Sequence, residues 1–278
     1  MQENNSIHTP HLAVIMSVYK GDSLPYTQLA IESLQQQTFA DYQCFLLFDG
    51  PIAQDLDTYL SSLNDKRFVL VKNKENQGLA KSMNQLLNTI LPQKNFHYIA
   101  RMDADDINAK DRFEKQVAFL DNHKEIDCVG SWAIEINAKG EEYYRKQMPV
   151  THQECYEFFS KRDCMIHPTV MFRRSYFEKA GLYPEDTYFG EDTIMWAQGF
   201  ATGCIFANIP EYLYYFRLNE QFFERRRGIK HAQSIMQLRR RVNKMLHYGI
   251  QADLFALMYA AAKLMPEKIL NLIYKTAR

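Results

Sequence analysis

Two carboxylates two residues apart, Asp103 and Asp105 in the run Arg101-Met102-Asp103-Ala104-Asp105-Asp106, carry the clearest chemical signal in the chain. Where a strand runs into a loop, a bend between such a pair turns both toward one hard cation. Carboxylate oxygens combined with phosphate oxygens suit Mg2+ or Mn2+. The triplet alone is a weak signal, because acidic chains contain it by chance and most copies are solvated turn or cap residues. Its setting favours a ligand: an apolar strand precedes it, Arg101 stands two residues upstream and Asp106 adds a third acid, a charged pocket that is costly to build without one. A second acidic pair, Glu191-Asp192, precedes a segment that reads as helical from Thr193 to Phe200. Its bland reading is a first-turn pair favoured by the helix dipole.

These residues need a scaffold, and the chain spells one out. Leu12 to Tyr19 is a nearly continuous apolar run rich in β-branched residues, as expected of a parallel strand covered on both faces. A helix to about Gln37 follows, then strand Tyr42 to Phe48 ending at Asp49-Gly50-Pro51. A helix from about Asp55 to Leu63 leads to strand Phe68 to Lys72. Asn76-Gln77-Gly78 opens a helix through Leu86 and Leu87, and strand Tyr98 to Met102 runs into the acidic cluster. This alternation predicts an α/β fold with a mostly parallel sheet and right-handed crossovers. Ligands in such sheets bind beyond the carboxyl ends of the strands. The polar residues to watch are therefore Ser17 and Tyr19, Asp49, Asn73 to Gly78, and Arg101 to Asp106. A helix from about Lys110 to His123 and a strand from Cys128 to Ile136 follow. The alternation then lapses until Asn208, which predicts a second lobe packed on the same sheet.

With 278 residues and 46% hydrophobic content the chain can bury a full core. Five scattered cysteines without a C-x-x-C pair read as buried thiols in a reducing cytoplasm. No apolar run precedes Leu12 and none reaches about 18 residues, so neither a signal peptide nor a membrane span is expected. No G-x-G-x-x-G follows the first strand and no G-x-x-x-x-G-K-[ST] occurs, which counts against NAD and against ATP hydrolysis. The zero formal charge conceals an asymmetry. Residues 225–278 hold twelve Lys or Arg against Asp253 and Glu267, a net +10, which leaves residues 1–224 at −10.

In order along residues 10–220, Ser17-Val18-Tyr19, Asp49, the stretch from Asn76 to Asn84 (NQGLAKSMN), RMDADD and GEDTIMW (Gly190 to Trp196) resemble the motifs of a family 2 glycosyltransferase with the GT-A fold. The resemblance implies a nucleotide site of Ser17, Val18, Tyr19, Asp49, Asn76, Gly78, Lys81, Arg101, Asp103 and Ala104. Asp49 would hold the uracil and Tyr19 would cover the base; otherwise Asp49 is a turn acid before Gly50-Pro51. It implies Asp105 as the more direct ligand of Mn2+ or Mg2+, with Asp103 nearer the ribose or the metal, and Asp192 as the base that takes the proton from an acceptor hydroxyl. Glu191 would orient the base or the acceptor, and the displacement would invert the anomeric centre. His167, Trp196 and Arg217 fall on the acceptor side, although a buried histidine and a core strand of alternating aromatics from Tyr212 to Phe216 are the plainer readings. Two departures stand out: Gly50 where a second acid is common, and Asn219 where a histidine is expected. Arg225-Arg226-Arg227 either closes over the diphosphate or faces solvent.

From Ile229 onward the chain is strongly helical, with Leu254, Leu257, Met258 and Ala261 on one face and Lys263, Lys268, Lys275 and Arg278 nearby. Such a pattern either lies on an anionic membrane surface or packs on the body or a second subunit, giving a homodimer. Nucleic acid fits poorly beside an acidic body without a binding motif. The expectation is therefore three parts: residues 1–130 for the nucleotide-sugar, 131–224 for the acceptor and 225–278 as a basic tail. The expected activity moves a hexose or N-acetylhexosamine from a UDP-sugar to a glycan or lipid-linked glycan (capsule, O-antigen, lipooligosaccharide or exopolysaccharide). The expected location is the cytoplasm, peripheral on the inner face of its membrane. The rivals are a sugar nucleotidyltransferase and a non-catalytic glycan- or membrane-binding protein.

Overall fold

The computed structural model describes residues 10–187, 189–218 and 228–265. Asn219, Arg225 to Arg227, Lys268, Lys275 and Arg278 lie outside them. Strand β1 (Leu12–Val18) is followed by α1 (Leu24–Gln35), β2 (Tyr42–Phe48), α2 (Gln54–Ser61), β3 (Phe68–Lys72), α3 (Leu79–Ile90) and β4 (Tyr98–Met102). These four strands are parallel in the order β3-β2-β1-β4. Leu12 through Met16 and Val18 of β1 are all fully buried, with helices on both faces, which is why the run is apolar without alternation. Each of the leucine, valine, isoleucine and methionine side chains among them contributes roughly 1.5–3 kcal/mol relative to an exposed one. Ala13 and Ile15 face one half of the core with α3; Leu12, Val14, Met16 and Val18 face the other with α1 and α2.

The rest of the chain extends the same sheet. After the short β5 (Ile107–Asn108) come α4 (Arg112–Asn122), β6 (Cys128–Ile136), β7 (Glu142–Lys146), α5 (His152–Phe159), β8 (Met171–Arg173), α6 (Ser175–Ala180), α7 (Glu191–Ala201) and β9 (Phe206–Arg217). The full order is β3-β2-β1-β4-β8-β6-β9-β5, with β7 on β6. The three-residue β8 runs antiparallel between β4 and β6, so β6 and β9 recover the direction of β4. Sequence alternation gave no sign of so short an element. The far end of β9 returns to β5, pairing Tyr215 with Ile107 and Tyr214 with Asn108, directly after the acidic loop. This return joins the later part of the chain to Asp103–Asp106.

Helices α8 (Ile229–Met245) and α9 (Ile250–Ala262) form a hairpin. Leu238, Val242 and Leu246 enter the main core, so α8 packs on the body. Helix α9 turns Ala252, Ala256 and Ala260 inward and leaves Ile250, Leu254, Leu257 and Met258 more than half exposed. Lys263, which the sequence placed beside that outer face, is buried with its ammonium 4.7 Å from the Tyr259 ring. Among the described residues no helix is long and apolar enough to cross a membrane.

Candidate active site

Strand β4 delivers Arg101 and Met102 into the loop Asp103–Asp106, and β9 holds that loop in place. Arg217 donates its backbone N–H to Asp106 Oδ1 (2.7 Å) and its Nε to the Asp105 carbonyl (2.8 Å), while its Nη1 reaches the Asn137 carbonyl at 3.2 Å. Its guanidinium also lies over the Tyr26 ring, 4.3 Å from the centroid. The residue is 3% exposed. Arg217, expected on the acceptor side, therefore tethers the acidic loop. Below the loop, buried Arg112 donates to the Arg101 carbonyl (2.9 Å) and to Asn108 Oδ1 (2.6 Å). Arg101 is itself buried, and its guanidinium bonds the Asp103 carboxylate and the Met102 carbonyl. Ala104 packs into the core beneath.

Despite the arginines around it, this loop crowds buried carboxylates together. Burial, then the neighbouring Asp103 carboxylate, pushes the Asp105 carboxyl up to about 6. Asp106 is raised well above the usual range by burial and by Asp105 and Asp103, and its Oδ2 is buried without a hydrogen-bond partner. Asp22 joins the same cluster: burial, then repulsion from Asp105 and Asp103, lifts it to about 7 although its Oδ2 accepts the Tyr19 N–H at 2.8 Å. Asp22 is not among the residues that the sequence singles out; its position three residues after Tyr19 is the one signal that points to it. Holding Asp105 ionised at neutral pH costs on the order of 3 kcal/mol by its shift, which a bound cation would offset. Among the described residues no group of three or more His, Cys, Asp or Glu encloses a metal position. Hard oxygens from Asp103 and Asp105 suit a cation that takes its remaining ligands from diphosphate and water.

At the ends of β1 and β2 the nucleotide-side residues line up. Ser17 and Tyr19 are partly exposed and Val18 is buried. The Asp49 carboxylate is 4% exposed and accepts from Gln77 N (2.7 Å), Asn76 Nδ2 (2.9 Å) and Gly78 N (3.0 Å). It fixes the loop that opens α3, as a turn acid would, and three donors on about four lone-pair sites leave one free. Gly50, with φ +82, lets this turn approach closely: a Cβ there would lie 2.6 Å from the Asn76 nitrogen. Gly78, φ +88, caps α3, and Lys81 is exposed on its first turn.

Glu191 and Asp192 occupy the first turn of α7, both partly exposed, after Gly190 in the left-handed region (φ +78). The Thr193 N–H donates to Asp192 Oδ1 at 2.8 Å. Tyr183 is buried beside His167, and its backbone is held by Asn84. Its ionisation is opposed by burial first, eased by Arg101 and opposed again by Asp192 and Glu191. Its Oη lies 2.8 Å from His167 Nε2, and burial and Arg101 hold His167 well below the ordinary imidazole range, hence neutral. His167, on a 3-10 turn at His167–Thr169, is thus brought to the site. Trp196 is not: it is fully buried, packed against Phe172 and edge-on to His167. The pairing of Asn84 with Tyr183 escaped sequence reading because the two meet across 99 positions.

The sequence profile described as "Glycosyl transferase family 2" matches residues 13–181. The chain is 30% identical over 268 residues to "Amylovoran biosynthesis glycosyltransferase AmsE" of Erwinia amylovora, covering 96% of this chain and 98% of that one. It is 29% identical over 229 residues to the Escherichia coli "UDP-Gal:alpha-D-GlcNAc-diphosphoundecaprenol beta-1,3-galactosyltransferase", covering 81% and 80%. In fold it resembles the mannosyltransferase PcManGT from Pyrobaculum calidifontis, solved with GDP-Man and Mn2+ (TM-score 0.63, 15% identity, 98% of this chain and 81% of that one). It also resembles S. aureus TarS 1-349 solved with UDP-GlcNAc (TM-score 0.60, 16% identity, 96% and 92%). The profile match spans more than half of the chain and the Erwinia relative is matched over nearly its whole length: the chain belongs to glycosyl transferase family 2 and is a glycosyltransferase.

Proposed function

We propose that this enzyme inverts configuration while moving a hexose or N-acetylhexosamine from a UDP-sugar to a lipid-linked glycan in bacterial surface-polysaccharide assembly. The names of the Erwinia and E. coli relatives support the acceptor class, and the UDP-GlcNAc complex of TarS supports the donor. The observation that carries the reading is the acidic loop Asp103–Asp106 at the end of β4, held by Arg101 and Arg217, in a chain whose family match spans residues 13–181. This loop serves a leaving diphosphate, and Glu191-Asp192 serves a nucleophile.

Asp103 and Asp105 would hold Mn2+ or Mg2+, which when bound neutralises the leaving diphosphate. Asp192 takes the proton from the acceptor hydroxyl as that oxygen bonds the anomeric carbon and the carbon–phosphate oxygen bond breaks, releasing UDP. Glu191 orients the acceptor. Asp49 shapes the uracil end by fixing Asn76-Gln77-Gly78, and Ser17, Val18 and Tyr19 line it. Arg101 orients Asp103, and Lys81 faces the donor. Residues 1–130 serve the nucleotide-sugar and 131–224 the acceptor. The outer face of α9 docks on an anionic membrane: Ile250, Leu254 and Leu257 line a groove with Arg240 and Lys244, which places cations beside apolar side chains. The enzyme would then work peripherally on the cytoplasmic leaflet.

A screen of UDP-sugar hydrolysis with Mn2+ and with chelator tests the donor assignment without needing an acceptor. Metal-dependent release of UDP from one donor is the expected result. GDP-sugars as the sole substrates would overturn the UDP reading.

A further inference from the structure

We infer that helix α8 is a positioning element of the catalytic centre, acting on Asp192 through Arg239, Asp163 and Thr193. The inference rests on Asp192 being the base. A basic helix after the catalytic sheet would ordinarily turn its arginines to solvent, yet Arg239 is 4% exposed. Its Nη2 donates to Asp163 Oδ1 at 3.0 Å and its Nη1 to the Phe159 carbonyl at 3.1 Å. The same Asp163 oxygen accepts from Thr193 Oγ1 at 2.9 Å. Thr193 follows Asp192 directly and donates its backbone N–H to the Asp192 carboxylate at 2.8 Å. One buried guanidinium thus holds a carboxylate, the carboxylate holds a threonine, and the threonine amide holds the base.

The rest of α8 grips the same segment. Gly190 lacks the Cβ that would collide with the Leu238 side chain, and its φ of +78 sets the entry to α7. The Phe189 and His231 rings meet edge to face with centroids 4.7 Å apart. Arg241 pairs with Asp186 through contacts of 2.9 and 3.1 Å. Anchoring the first turn of α7 from outside the sheet restricts where the Asp192 carboxylate can lie, and a displacement of about 1 Å in such a group can cost a hundredfold in rate.

The test uses full-length protein and Mn2+-dependent hydrolysis of UDP-GlcNAc and UDP-Gal, with water as the nucleophile. Arg239→Met and the isosteric Asp163→Asn should each lower kcat roughly 10–100-fold while KM for the donor and UDP affinity stay within about twofold. Arg239→Lys, which can reach Asp163 but not the Phe159 carbonyl at the same time, should recover part of the loss. Amide hydrogen exchange at Thr193 to Met195 should quicken in the first two variants. Unchanged kcat and unchanged exchange in folded Asp163→Asn would overturn the inference. Full hydrolysis by Asp192→Asn would instead remove the base assignment, while exchange would still report whether α8 fixes the start of α7.

Discussion

Asn84 clasps the backbone of Tyr183 from both sides: its Nδ2 donates to the Tyr183 carbonyl and its Oδ1 accepts the Tyr183 N–H, each at 2.9 Å. The same Nδ2 lies 2.8 Å from Glu185 Oε1. Helix α3, whose start is set by Asp49, is thereby locked to the segment that leads into Glu191-Asp192. Asn84→Ala would leave two buried backbone groups without partners at a cost of about 2 kcal/mol, lowering the melting temperature by roughly 4–8 °C. It should also reduce turnover more than UDP affinity, because the nucleotide loop keeps its Asp49 bonds. Calorimetric melts with UDP titrations check both; equal loss of turnover and UDP affinity would contradict the account.

The acidic loop makes stability depend on pH in a definite direction. Folding raises Asp22 to about 7 and Asp105 to about 6 from an ordinary 3.8, so the folded state holds these protons more tightly than the unfolded one. Their contribution is full below about 4 and is lost as pH rises through 6 and 7. In chelator, Asp22→Asn, which keeps an oxygen for the Tyr19 N–H, should match the wild type at pH 4. At pH 8 it should melt higher by a few degrees. A gap that widened toward low pH would reverse the assignment.

Arg217 offers a separation of tethering from acceptor binding. Arg217→Met removes the bonds to the Asp105 and Asn137 carbonyls but leaves the backbone N–H on Asp106. Mn2+-dependent UDP affinity should fall about tenfold, since the loop that presents Asp105 loosens. Loss confined to acceptor KM would restore the residue to the acceptor side.

The membrane reading of α9 predicts that Leu254→Asp with Leu257→Asp abolishes co-sedimentation with phosphatidylglycerol vesicles and leaves hydrolysis of soluble UDP-sugar unchanged. Arg240→Glu with Lys244→Glu should weaken binding to the anionic vesicles by about tenfold. A wild-type dimer by sedimentation velocity that these changes dissociate, without vesicle binding, would assign the face to a second copy.

How far the sequence carried this account depended on the range of the contacts. Apolar runs such as Leu12–Val18 and Tyr42–Phe48 were readable because burial on both faces favours apolar side chains, and the carboxyl ends of β2 and β4 marked Asp49 and Asp103–Asp106. Arg217 and Trp196 were harder, since a guanidinium on backbone carbonyls or an indole in the core has the same letters as one facing a sugar. The crowding of Asp22 by Asp105 and Asp103 and the pairing of Asn84 with Tyr183 were hidden because they join residues far apart in the chain. The positive charge of residues 225–278 suggested a surface role for the tail, whereas Arg239 turns inward to Asp163.

The division of labour between Asp105 and Asp192 is tested most directly by Asp192→Asn, assayed beside Asp105→Ala for Mn2+-dependent UDP binding and for turnover of the UDP-sugar identified by the screen. The account predicts that Asp192→Asn binds UDP as the wild type does and loses turnover by roughly a thousandfold or more. Asp105→Ala should lose the metal-dependent part of UDP binding itself. Wild-type turnover in Asp192→Asn, or metal-dependent UDP binding left intact in Asp105→Ala, would contradict it.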